Sequence, residues 1–134
     1  MKYLLDTNIC IYIIKQKPPH VLQRFQAFTP GSIGVSTVTV AELQYGVRKS
    51  RYPTKNQAAL EQFLSPLLIA NFNTEAAQVY GDIRAVLEAS GMPIGALDTL
   101  IAAHALSLNV TLVTNNTREF SRVVGLRIEN WAAA

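Results

Sequence analysis

Four carboxylates, Asp6, Glu42, Asp98 and Glu119, occupy comparable places in a chain that has only nine acidic residues among 134. Asp6 closes the stretch Lys2-Tyr3-Leu4-Leu5-Asp6-Thr7-Asn8, where three apolar residues meet a carboxylate, a hydroxyl and an amide before the chain turns apolar again at Ile9. That pattern reads as a short buried strand turning into a helix, with an acid at the corner. In open α/β sheets the crevice beyond the carboxyl ends of the strands is where ligands bind. Glu42 comes shortly after a second strand-like segment, and Glu119 after another, with Thr114 and Asn116 just ahead of it. Asp98 opens a helix and precedes Ile101, Ala102 and Ala105 by three, four and seven residues, so it is expected to point with them toward the core side.

If these acids converge, their chemistry is constrained. Two like charges about 4 Å apart repel by roughly 4 kcal/mol at an effective dielectric near 20, and a whole domain is stable by only about 5–15 kcal/mol. Protons or a cation must relieve the strain. An oxygen-only set without a His or Cys cluster favours a hard ion, Mg²⁺ or Mn²⁺, which takes a few carboxylates and substrate phosphates. Such an ion polarises a phosphoryl oxygen and activates water, so the expected reaction is hydrolysis of a phosphate ester.

Each acid also has a plainer reading. Asp6 or Thr7 can cap the following helix, and Thr39-Val40-Ala41-Glu42 fits a capping box in which Glu42 reaches back to the N–H of Thr39. Asp98 complements the dipole of its helix, although facing the core it would be an unrelieved buried charge without a cation. Glu119 can be an ordinary surface residue. The single cysteine, Cys10, lies in an apolar helical run and reads as packing. His20, after two prolines, is expected to be exposed, and His104 to be a packing or surface residue.

Strand-like and helix-like segments alternate along the chain. After the strand at Tyr3–Leu5 and a helix from Ile9 to Ile14, a turn at Lys15–Pro19 leads to a helix with Val21, Leu22, Phe25 and Phe28 on one face, which Pro30-Gly31 ends. Ile33, Val35 and Val38 read as the second strand, and Thr39 to Glu42 opens a helix through Leu43, Tyr45 and Val47. Arg48 to Lys55 reads as an exposed basic loop and Asn56 to Leu64 as a helix; Leu67 to Ala70 makes a third strand. Thr74 starts the longest helix, which Gly91 stops in a left-handed cap. Asp98 to Leu106 is another helix and Val110 to Val113 the fourth strand; a short helix follows near Phe120, and Gly125 to Trp131 is a final edge strand. This alternation predicts a parallel sheet with helices on both faces.

At this length the chain fits one domain, 1–134, with ordinary globular composition. No apolar run approaches the roughly 18–20 residues needed to cross a bilayer, and no signal peptide is evident, so a cytoplasmic location is expected. The net charge of +3 is only mildly basic. Setting the four candidate acids aside leaves five acids against twelve bases, a remainder of +7 that suits a polyanion. Arg48, Lys49, Arg51 and Lys55, with Arg118 and Arg122 beside Glu119, are the candidate phosphate contacts.

Leu5-Asp6-Thr7-Asn8, Ala41-Glu42-Leu43, Pro93-Ile94-Gly95 leading to Asp98 and Ile101-Ala102-Ala103-His104-Ala105, and Val113-Thr114-Asn115-Asn116-Thr117-Arg118-Glu119-Phe120 together resemble the PIN domain of VapC-type toxins, nearly end to end. The resemblance implies a PIN-like three-layer α/β/α sandwich whose central, mainly parallel sheet has four to five strands. It also implies an endoribonuclease dependent on Mg²⁺ or Mn²⁺, the toxin of a type II toxin–antitoxin pair. Such a toxin would be a homodimer, or a hetero-oligomer with a cognate VapB-type antitoxin. Its substrate would be structured RNA such as tRNA, with the initiator tRNA anticodon loop as the expected target. Asp6, Glu42, Asp98 and Glu119 match the family's acids. Asn116 stands where many members have a further carboxylate, so one well-held ion is expected, and Thr7, Thr114 and Asn116 take supporting roles. A catalytically silent PIN-like module that binds RNA or protein is the alternative. A haloacid-dehalogenase-like phosphatase would want a second Asp where this chain has Asn8, and no insertion resembles the threading arch of a flap nuclease.

Overall fold

Three apolar strands of three or four residues, each buried on both sides, form the middle of the sheet. The computed structural model describes residues 1–133. Five strands, β1 (Tyr3–Leu5), β2 (Ile33–Ser36), β3 (Leu68–Ala70), β4 (Thr111–Val113) and β5 (Ile128–Glu129), lie in the order β3-β2-β1-β4-β5, and every neighbouring pair is parallel. Seven helices connect and cover them: α1 (Thr7–Lys15), α2 (Pro19–Gln26), α3 (Thr37–Arg48), α4 (Pro53–Leu64), α5 (Thr74–Ala89), α6 (Ala96–Leu108) and α7 (Thr117–Phe120).

The two-residue period of a strand splits the core in two. Leu5 and Val113 point to one face with Ile33 and Val35, and pack against Ile9 and Ile13 of α1, Val21 of α2, Leu43 of α3 and Leu60 of α4. Leu4 and Leu112 point to the other face and meet Ile83 and Leu87 of α5 and the alanines of α6. Small residues along α6 let α5 lie closely beside it, and no helix pair is more extensively packed. The three layers are therefore helices, parallel sheet and helices, as the alternation of segments predicts.

Register places the site. Leu4 pairs with Gly34 and Leu112, and Leu5 pairs with Val113, so Asp6 and Thr114 are the next residues beyond the carboxyl ends of adjacent strands. Ser36 ends β2 on the other side of β1. The chain direction common to all the strands brings these ends to one edge.

Several boundaries differ from the sequence reading. Strand β2 stops at Ser36, whose hydroxyl accepts from the Val38 N–H at 3.0 Å and caps α3, so Val38 lies in the helix and not in the strand. Helix α4 begins at Pro53, which fits the first turn because it lacks an N–H there; Lys55 is therefore helical and the exposed loop is shorter. Strand β5 holds only two residues of the Gly125–Trp131 segment, but it is the edge strand. His20 is half-buried and bonds the Ala132 carbonyl through Nε2. Gly91 has a φ of 71°, which supports the left-handed stop after α5.

Gly34 is the tightest point of the sheet. A Cβ built there would stand 2.9 Å from the Leu68 carbonyl oxygen and would collide with the Met1 sulfur. The Met1 side chain can move, whereas the Leu68 carbonyl belongs to the β2–β3 pairing. Gly34→Ala is expected to lower stability by about 1–3 kcal/mol, read as an earlier urea midpoint; an unchanged midpoint would mean that β3 yields without cost.

Candidate active site

Asp6 is 5% exposed, and it does two jobs at once. One carboxylate oxygen, Oδ1, accepts from the Ile9 N–H at 3.0 Å and caps α1, while Oδ2 accepts a hydrogen bond from the Thr114 hydroxyl. Capping and membership of the acid cluster are thus compatible, because each carboxylate oxygen keeps a second lone pair. Burial raises the Asp6 carboxyl from 3.8 to about 6, and the Asp98 and Glu42 charges add to that rise against the lowering effect of the two hydrogen bonds.

Each of the other acids is held by a neutral donor from another element or from the loop ahead of it. Thr7, the first residue of α1, donates to Glu42 Oε1 at 2.8 Å across 35 residues of chain. Thr39 lies inside α3 with an unpaired, buried hydroxyl, so the capping-box reading of Thr39 and Glu42 is overturned. The Asn116 amide nitrogen reaches Asp98 Oδ2 at 3.3 Å and Glu119 Oε2 at 3.2 Å, joining the start of α6 to α7. Asn116 is itself fixed by its N–H to the Thr114 hydroxyl at 3.0 Å. Asp98 is half-buried rather than turned into the core, and the buried face of α6 begins at Thr99. Its carboxyl is raised first by burial, then by the Glu119 and Glu42 charges.

The structure therefore brings Asp6, Glu42, Asp98 and Glu119 to the carboxyl edge of the sheet, with Thr7, Thr114 and Asn116 between them. Among the described residues neither ion pair, Arg24–Glu129 or Arg84–Glu88, includes any of these four acids. No three acids stand close enough together to form a finished metal cage among those residues. The cluster is coupled through electrostatics and bridging donors, and its all-oxygen donor set is of the kind a hard divalent cation takes.

The basic residues divide into groups. Arg48 ends α3, Lys49 caps it, Arg51 lies in the connection and Lys55 in the first turn of α4; all four are exposed. Arg118 is exposed on α7, whereas Arg122 is half-buried and donates to the Pro93 carbonyl at 3.0 Å, so it fastens the loop that leads to α6.

Two supporting features escaped the sequence reading. Ser36 is fully buried and takes both the Val38 N–H and His104 Nδ1, the latter at 2.7 Å, tying α6 to the start of the Glu42 helix. His104 is accordingly a core residue, and burial lowers its pKa. Asn115 donates to the Tyr12 hydroxyl at 2.8 Å and anchors the loop after β4 to α1. A Ser directly before a helical period was the available signal for the first; nothing local signals the second.

A parallel sheet between helical layers, with acids gathered at its carboxyl edge, places the chain in the three-layer α/β class, and comparison with known proteins narrows it. Residues 3–126 match the family model described as PIN domain. The chain is 50% identical over 131 residues to Ribonuclease VapC2 of Haemophilus influenzae, covering 98% of each chain. It is 47% identical over 132 residues to the tRNA(fMet)-specific endonuclease VapC of Shigella flexneri, covering 98% of this chain and 99% of that one. The fold superposes with a TM-score of 0.93 on DNA-bound VapBC from Salmonella typhimurium, at 46% identity and 98% coverage of both chains. The protein belongs to the VapC family of PIN-domain ribonucleases.

Asp6 gives a stability prediction whose sign follows from its raised pKa. The folded state holds the proton more tightly than the unfolded state, so this group's contribution is fully present below pH 3.8 and is lost as pH rises through about 6. In EDTA, Asp6→Asn is expected to be more stable than wild type at pH 8, with the difference vanishing near pH 4, as read by urea unfolding. A variant less stable than wild type at pH 8 would show that the ionised acid carries no strain.

Proposed function

We propose that the protein is a metal-dependent endoribonuclease, the toxin of a VapBC-type pair, which cuts structured RNA and thereby inhibits translation and growth. The observation that carries this reading is the set of four uncompensated acids at one sheet edge in a chain whose remaining charge is +7. Asp6, Asp98, Glu42 and Glu119 would hold Mg²⁺ or Mn²⁺, which when bound supplies charge compensation and polarises a phosphate oxygen.

The chain's own residues prepare that chemistry. The Thr114 hydroxyl and the Ile9 N–H fix both oxygens of Asp6. Thr7 orients Glu42, and one amide, that of Asn116, spaces Asp98 from Glu119 without adding a fifth charge. This supports one firmly held ion rather than two. Arg48, Lys49, Arg51, Lys55 and Arg118 would take the flanking phosphates; Arg122, already bonded to Pro93, is the weakest member of that set.

The Shigella relative is named a tRNA(fMet)-specific endonuclease, which supports initiator tRNA as the substrate; its anticodon loop is our proposed cut site. Their structures are VapBC complexes, which supports a VapB-type antitoxin as partner, with homodimers or hetero-oligomers as the working assemblies. An open apolar groove of about 400 Å³ between α1, α3 and α4 includes Leu43, Val47 and Leu60 in its lining and reaches Glu42. A segment of the antitoxin seated there would lie beside the acids. No helix of the described residues is long and apolar enough to cross a membrane.

Antitoxin-free protein incubated with total bacterial RNA tests the proposal. Discrete cuts are expected with Mg²⁺ or Mn²⁺, none in EDTA, and a loss of at least about 100-fold in rate for Asp98→Asn. RNA binding without cuts under either metal would favour the silent PIN-like module instead.

A further inference from the structure

Helix α3 carries more than Glu42 on its flank. Val38, Glu42, Tyr45 and Lys49 follow one another at spacings of four, three and four, so they form a single stripe down one side of the helix and its cap. Glu42 and Tyr45, three apart, are neighbours on that surface. Tyr45 is 66% exposed, and the Lys49 ammonium stands over its ring, 4.8 Å from the centroid. Arg48 and Arg51 lie on either side of Lys49 in the sequence, and Lys55 lies one turn into the following helix.

We infer that Tyr45 is a stacking platform for an unpaired nucleobase adjacent to the bond being cut, and that it selects RNA loops over duplexes. This rests on the nuclease reading above and deepens it. Tyr45 presents a large exposed aromatic face, and here the neighbouring groups are a candidate catalytic acid and a run of cations. An aromatic face beside a positively charged track is the arrangement that binds single-stranded nucleic acid, because every base has a face to stack while its phosphates meet the cations. The Lys49 ammonium steadies the ring from one side by a cation–π contact. A paired base hides its faces in the helix, so only an unpaired nucleotide can use the platform. Tyr45 thus acts on affinity and substrate choice, leaving the chemical step to the acids.

The test compares wild type with Tyr45→Ala, Tyr45→Phe and Tyr45→Trp on an RNA stem-loop that wild type cuts, and on a fully paired duplex containing the same sequence. Tyr45→Ala is expected to raise KM for the stem-loop by about 5- to 150-fold with kcat nearly unchanged. Phe and Trp should restore it, since the ring and not the hydroxyl does the work. The salt dependence of binding should be the same for Tyr45→Ala and wild type and shallower for Lys49→Ala, which removes a phosphate contact. Binding to the duplex should not change with residue 45. Tyr45→Ala with the wild-type KM on an RNA that wild type cuts would overturn the platform and leave the nuclease reading standing. So would a defect confined to binding of a purified VapB-type antitoxin. Wild type that neither binds nor cuts RNA would overturn both.

Discussion

Mutual repulsion of carboxylates at the carboxyl edge of the sheet is the constraint to which the rest of this structure answers. Asp6 is nine-tenths buried or more by surface area, yet among the described residues it pairs with no cationic side chain, only with the Ile9 N–H and the Thr114 hydroxyl. Neutral donors can orient an acid without cancelling its charge. Burial first, and then the neighbouring carboxylates, raise Asp6 to about 6 and shift Asp98 upward. A fold only marginally stable as a whole keeps such a site because two apolar layers, one on each face of the sheet, hold the strand ends in place. A cation bound there would draw on strain of this kind as binding energy.

The four acids reach that edge by four different local devices. Asp6 arrives by strand register and a helix cap, Glu42 by a position one and a half turns into α3, Asp98 in the first turn of α6, and Glu119 in the short α7. Three side chains then connect them. Thr7 ties α1 to α3, Thr114 ties β4 to β1, and Asn116 ties α6 to α7. Asn116 is informative because an Asp there would add charge to the crowded pair it now separates. An amide in that place gives geometry without repulsion.

Much of this could be read from residue order. Short apolar runs, each followed by helical periodicity, predict a parallel sheet, and acids just past those runs must meet at one edge whatever the details of packing. The boundary between β2 and α3 was not legible in the same way. Val35-Ser36-Thr37-Val38-Thr39-Val40 is rich in β-branched residues that suit a strand, and only the Ser36 cap and its buried bond to His104 decide that the helix starts at Thr37. The orientation of Asp98 was misread for a related reason. Helical spacing assigns it to the face of Ile101 and Ala102, but a first-turn residue sits at the rim of that face, where Asn116 and solvent reach it. The Asn115–Tyr12 bond spans 103 residues, and no local pattern encodes it. The same edge also explains why the competing phosphatase reading fails: Asn8, where a second acid would be needed, is exposed on α1 and has no charge to offer.

Calorimetric titration of the antitoxin-free protein with Mn²⁺ between pH 5 and pH 8, in buffers of differing ionisation enthalpy, tests the central claim most directly. If the crowded acids are the cation site, binding will release a proton as the pH is lowered toward 6, where Asp6 is half protonated, and affinity will fall below that point. Affinity that stays flat through pH 6 with no proton release, or no binding at any pH, would contradict the account.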